Sequence, residues 1–330
     1  MLFRSVGVLF FRYMPPIPYS KPPLSFVNQL TQLKNRGLII NSEAKALHLL
    51  EKVSYYRLSG YWYPLLEGTT AIDKERHVFK KGAQLNTAFR LYCFDRELRQ
   101  LVQSELEKIE VAIRASMIYN LSHNLGAMWF SNPALFKSAT AHTKSLASIT
   151  AEYNRSTEQF INSFKTKYSD PLPPSWITLE ITSFGTISML YQNLKSGRRD
   201  IANSFGLDDK TFASWLHAIV YLRNICAHHS RLWNKILSIA PRIPTSPRKP
   251  WLNTSPPTDR VFIYLSMISY LLNQINPHHR FKIKLKKLLR KYPNVDITAM
   301  GFPKNWESEI LWKTRKVDFL PHWILKPFRK

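Results

Sequence analysis

Apolar residues recur at intervals of three and four along nearly the whole chain, the spacing of helices that bury one face. Residues 24–36 carry Phe26, Leu30 and Leu33 on one side and run into Gly37, a helix stop. Ser42 is placed to cap a second helix with Ala46, Leu49, Leu50 and Val53 facing inward. A long helix is predicted from 84 to about 120, on Phe89, Leu98, Leu106, Ile109, Ile113 and Met117. Further helices are predicted over 140–168, from 175 through Gly185, over 197–205, from Asp208 to somewhere between 233 and 239, over 258–275 and over 280–291. Prolines punctuate them at 15–23, at Pro133, at 171–174 and repeatedly between 241 and 257. Residues 67–83, with Gly68, Asp73 and Gly82, read as a loop or a short hairpin. The chain therefore divides into an extended or disordered start (1–23), a helical and aromatic segment (24–83), a helical core (84–240) and a Pro-rich loop with a basic helical tail (241–330).

Charge changes this picture. The 330 residues carry a formal net charge of +25, with a pI near 10.1. So large an excess points to a polyanionic partner, nucleic acid before an anionic membrane surface. The tail helix concentrates the excess: Arg280, Lys282, Lys284, Lys286, Lys287, Arg290 and Lys291 have no acid among them, and Phe281, Leu285, Leu288 and Leu289 form an apolar stripe. Lys282, Lys286, Lys287, Arg290 and Lys291 are thus candidate RNA-phosphate contacts. Around 55–64, aromatic residues alternate with Arg57 and Gly60, and Arg57 with Tyr61 could either stack on unpaired bases or pack a turn. Two distant cysteines, Cys93 and Cys226, make neither a disulfide framework nor a metal site, and no zinc pattern or phosphate-cradling glycine loop is present, so no metal or cofactor is expected. The apolar run near the start is too short to span a bilayer, and Met14 is an alternative first residue. These features suit a cytoplasmic protein without a membrane partner.

The candidate chemistry lies in 216–234, where no Gly or Pro interrupts a helix. With Arg223 at zero on a helix of about 100° per residue, Arg231 falls near 80°, Asn224 near 100° and His228 near 140°. Trp215, Ala218, Ile219, Leu222, Ile225, Cys226 and Trp233 take the opposite side, and His229 projects among them near 240°. This spacing assigns His228 to chemistry and His229 to the core. Metal-free RNA cleavage needs a base for the 2′-hydroxyl, a proton for the leaving 5′-oxygen and cations for the phosphorane. Histidine and arginine suit these tasks, and Asn224 could bond a phosphate oxygen or fix the imidazole tautomer. One histidine per helix against two proton transfers leads to a two-fold dimer. Glu180, a charge within an apolar stretch, is a candidate to orient an arginine of this helix, with Arg231 a second supporting cation.

Arg223-Asn224-Ile225-Cys226-Ala227-His228 resembles the Arg-polar-x3-His signature of HEPN ribonucleases, and 223–234 as a whole is similar to the signature of the AbiD/AbiF-type abortive-infection proteins. The runs at 55–64, 94–99, 106–110 and 174–185 resemble that family too, so the likeness extends from roughly Lys21 to Lys330. It implies an all-α, HEPN-like bundle with helical elaborations at both ends, and a site of Arg223, Asn224 and His228. It also implies a toxin-like endoribonuclease in phage defence, giving a 2′,3′-cyclic phosphate and associated with a small non-coding RNA. The rival reading is a non-catalytic RNA-binding protein using the same basic surface; a membrane-active toxin built on the tail helix is a third.

Overall fold

The computed structural model describes residues 18–68, 70, 74 and 77–313. The alternative start at Met14 and the basic end of the chain lie outside them, as does most of the segment read as an extended beginning. Among the described residues there are twelve α-helices and no strand, only three isolated β-bridges, so the fold is mainly all-α. Contacts group the chain into two units, 1–89 and 90–330. The second takes in both the stretch read as the core and the tail read as a separate segment.

In the first unit, α1 (Phe26–Asn35) packs on α2 (Glu43–Val53), and α3 (Tyr55–Trp62) follows. Ser42 caps α2 by accepting the Lys45 N–H. The aromatic run of α3 turns inward: Tyr61 is 2% exposed, and Trp62 stands edge-on to Tyr55 and Phe79. The putative hairpin of 67–83 reduces to a single antiparallel bridge, Leu66 to Phe79.

The second unit is built on α4 (Leu85–Leu125), whose first five residues belong to the first. Phe94, Leu98, Val102, Leu106, Ile109, Ile113, Met117 and Leu121 are all buried, a continuous stripe at helical spacing. Around it lie α5 (Ala139–Arg155), α6 (Gln159–Lys167), α7 (Ser175–Ile181), α8 (Phe184–Asn193), α9 (Arg198–Ser204), α10 (Asp209–Ala227), α11 (Val261–Ile275) and α12 (Phe281–Lys291). Every residue of α11 from Val261 to Leu272 is buried, so this tail helix belongs to the same core as α4 and α10. No helix among the described residues is long and apolar enough to cross a membrane.

Two helices predicted as continuous are broken. The 140–168 helix divides at Ser156, which leaves the helical region at ψ 131. The helix from 175 divides at Thr182 and Ser183, where Ser183 caps α8 by accepting the Thr186 N–H. There Arg114 of α4 donates to the carbonyls of Leu179 and Thr182, satisfying backbone acceptors that the end of α7 leaves without partners.

Candidate active site at the end of α10

Asp208 starts α10 by accepting the N–H groups of Lys210 and Thr211. Burial holds its carboxyl up, but these bonds more than offset it, and its pKa lies below the usual value. From there Trp215, Leu216, Ala218, Ile219, Leu222, Ile225 and Cys226 face the core, as the projection placed them. Cys226 is a buried thiol whose pKa burial pushes up to about 12, so it is a packing residue and no nucleophile.

The helix ends six residues earlier than the shortest predicted end. His228 is the C-cap at φ −86° and ψ 11°, and His229 turns left-handed at φ 55°. His229 N–H donates to the Cys226 carbonyl (3.1 Å), and Ser230 N–H donates to the Ile225 carbonyl (3.0 Å). This is a Schellman closure, usually built on glycine; histidine is among the few other residues that occupy its left-handed position with some frequency. The helical projection therefore fails beyond His228. His229 is exposed and is not a core histidine. Arg231 is half-buried beyond the helix and shares no helical face with Arg223. Leu232 and Trp233 are buried, though by a route the projection did not supply.

That route runs through α4. Asp95, wholly buried, accepts the Leu232 N–H at 3.1 Å and the Trp233 N–H at 2.6 Å, and pairs with Arg99. A carboxylate more than 130 positions earlier thus pins the chain directly after the His228 turn.

On the other side of the turn, Arg223 is braced by α4. Its side chain is 39% exposed, and its Nε lies 4.0 Å from Glu110 Oε2. Glu110 accepts an Arg114 guanidinium N–H with its other oxygen at 2.9 Å. The Glu110–Arg114 pair, expected on the solvent side, is largely buried and links α7, α4 and α10. Arg223 Nη1 reaches Asn224 Oδ1 at 3.4 Å, and its buried Nε makes no hydrogen bond. Asn224, Ala227 and His228 are exposed. One rigid helix end thus offers an arginine, an amide and an imidazole within six residues, on a rear face closed by the core.

The remaining candidates scatter. Glu180 is exposed on α7, in a groove with Glu152, Arg155 and Glu158; the carboxylate beside Arg223 is Glu110. Glu110 was legible only as half of an i,i+4 pair, because nothing in the local pattern says that α10 crosses α4 there. Arg57 is exposed on α3, whereas buried Tyr61 has no face left for stacking on a base. The tail helix α12 finds the counter-charges its own sequence lacks. Lys291 pairs with Glu97 (2.7 Å), Lys284 with Glu105 (2.8 Å), and Lys286 approaches Glu307 (3.7 Å) over the Trp306 ring. Lys286 is 8% exposed and cannot present itself to a phosphate, and Lys291 already holds a carboxylate. Lys287 and Arg290 are exposed, and Lys282 is half-buried.

A family model described as Abi-like protein matches residues 48–234, more than half of the chain. The chain belongs to the Abi-like protein family. The match closes on Asn234, directly after the turn that Asp95 pins, and takes in both Glu110 and the end of α10. The part of this Abi-like protein beyond it, with α11 and α12, shares the core although the family model does not extend there. No curated protein and no solved structure matches the chain.

Proposed function

We propose that this Abi-like protein is a metal-independent endoribonuclease of HEPN type, acting in abortive infection as a toxin-like phage-defence protein. The observation that carries the reading is the braced, exposed end of α10: Arg223 held against Glu110, with Asn224 beside it and His228 at the closing turn. Family membership supports the role in abortive infection. The net charge of +25 supports an RNA substrate and a bound small non-coding RNA.

In this mechanism His228 removes the 2′-hydroxyl proton, and the oxygen attacks the adjacent phosphorus. Arg223 offsets the charge of the phosphorane, and the donor left without an acceptor at its Nε gains one in the phosphate. Asn224 bonds a phosphate oxygen. A second copy of the helix end, from a two-fold partner, supplies the acid that protonates the departing 5′-oxygen and leaves a 2′,3′-cyclic phosphate. Glu110 is the positioning residue for Arg223; neither Glu180 nor Arg231 has a place in this scheme.

Labelled RNA incubated in EDTA with protein stripped of copurifying nucleic acid tests the reading. Cleavage to cyclic-phosphate ends is expected, with a loss of about 10²-fold or more in His228→Ala. Binding without cleavage would instead establish the rival, an RNA-binding protein without catalysis. Sedimentation of the active species reports whether it is a dimer.

A further inference from the structure

Away from α10, a cavity of about 540 Å³ opens between the end of α11, the first turn of α12, the 249–250 loop and the 310–313 segment. Its volume lies in the range of small-ligand sites, about 300–1,000 Å³. Lys249, Lys282 and Lys313 line it, and no carboxylate does. The other lysines that α12 turns toward its neighbours, Lys284, Lys286 and Lys291, each approach a glutamate; here three ammonium groups converge on a concave space lined without one.

The polar wall is fixed by hydrogen bonds. The Phe281 N–H donates to His279 Nδ1 at 3.3 Å, which makes Nε2 the protonated nitrogen. Nε2–H then donates to Asn273 Oδ1 at 2.9 Å, so what Asn273 can offer the cavity is its amide N–H. The first turn of α12 adds the positive end of a helix dipole to the lysines. Facing this wall, Ile283, Ile310 and Leu311 give the cavity an apolar side, and Ile310 is 46% exposed there.

We propose that this cavity binds a nucleoside phosphate, its phosphate among the three lysines and its base against Ile283, Ile310 and Leu311. Cations with an amide donor on one wall and aliphatic surface on the other match a ligand with one anionic and one flat apolar end. The ligand is either a free mononucleotide or the terminal nucleotide of an RNA strand. The proposal does not depend on cleavage at the end of α10, because none of these residues belongs to that site.

The test uses the full chain freed of nucleic acid, in the His228→Ala background so that no RNA is consumed. Calorimetric titration with AMP, inorganic phosphate and a short 5′-phosphorylated RNA separates the sources. Saturable AMP binding at least tenfold tighter than inorganic phosphate is expected. It should weaken tenfold or more in Lys249→Ala/Lys313→Ala, both exposed positions, and again on adding Lys282→Ala, with unchanged circular dichroism. If only the RNA oligomer binds and only its affinity falls in these variants, the ligand is a strand end. Equal affinity for AMP and inorganic phosphate, or binding of AMP and RNA untouched by the lysine variants, overturns the proposal.

Discussion

Removing the Asp95 carboxylate tests how the turn after His228 is held. In Asp95→Ala the Leu232 and Trp233 N–H groups, bonded at 3.1 and 2.6 Å, lose their acceptor in a place water does not reach, and the 5%-exposed Arg99 loses its carboxylate partner. Stranding a buried donor costs about 1–3 kcal/mol, and deleting one partner of a buried ion pair about 3–5 kcal/mol. The terms share one group and do not add, so about 3–5 kcal/mol is expected overall. For a unit of this size that lowers Tm by about 6–20 °C. Asp95→Asn keeps one oxygen acceptor but loses the charge, and should fall between the variant and the parent. Urea denaturation followed by tryptophan fluorescence gives the free energies, with an unchanged slope as the sign that the same surface is exposed. A loss below about 1 kcal/mol in Asp95→Ala would show that those N–H groups find other acceptors, and the account of the turn would fail.

Three further outcomes are expected. At φ 55°, His229→Val should cost about 1–2 kcal/mol more than His229→Gly, because a β-branched residue resists the left-handed region that glycine enters freely; equal denaturation midpoints would count against the Schellman turn. With its thiol pushed to about 12, Cys226 presents about 10⁻⁴ of its population as thiolate at pH 8, so iodoacetamide should label half-buried Cys93 in native protein and Cys226 only after unfolding, as read by peptide mass. Burial raises the Glu105 pKa, but bonds from Lys108 and Lys284 more than offset it and hold it below the usual carboxylate value. The stability it contributes is therefore full above about pH 4.3, the unfolded value, and is lost as pH falls through the folded one. Lys284→Met should shift the acid-unfolding midpoint to higher pH, and an unchanged midpoint would remove Glu105 from the account.

The sequence by itself determined the helices, their inward faces and the residue set at the end of α10, because a period of 3.6 and caps such as Ser42 and Asp208 are local properties. It did not determine where α10 stops: no glycine marks the place, and the stop rests on His229 accepting a left-handed backbone while Asp95 draws Leu232 and Trp233 inward. It could not tell Glu110 from Glu180 as the partner of Arg223, since both are single acids in helices and only the crossing of α4 with α10 distinguishes them. Nor could it see that Lys286 is covered by Trp306, or that Glu97 and Glu105 neutralise a helix whose own segment holds no acid. In each case the deciding contact joins residues far apart in the chain, and a contact of that kind exists only once the core has packed.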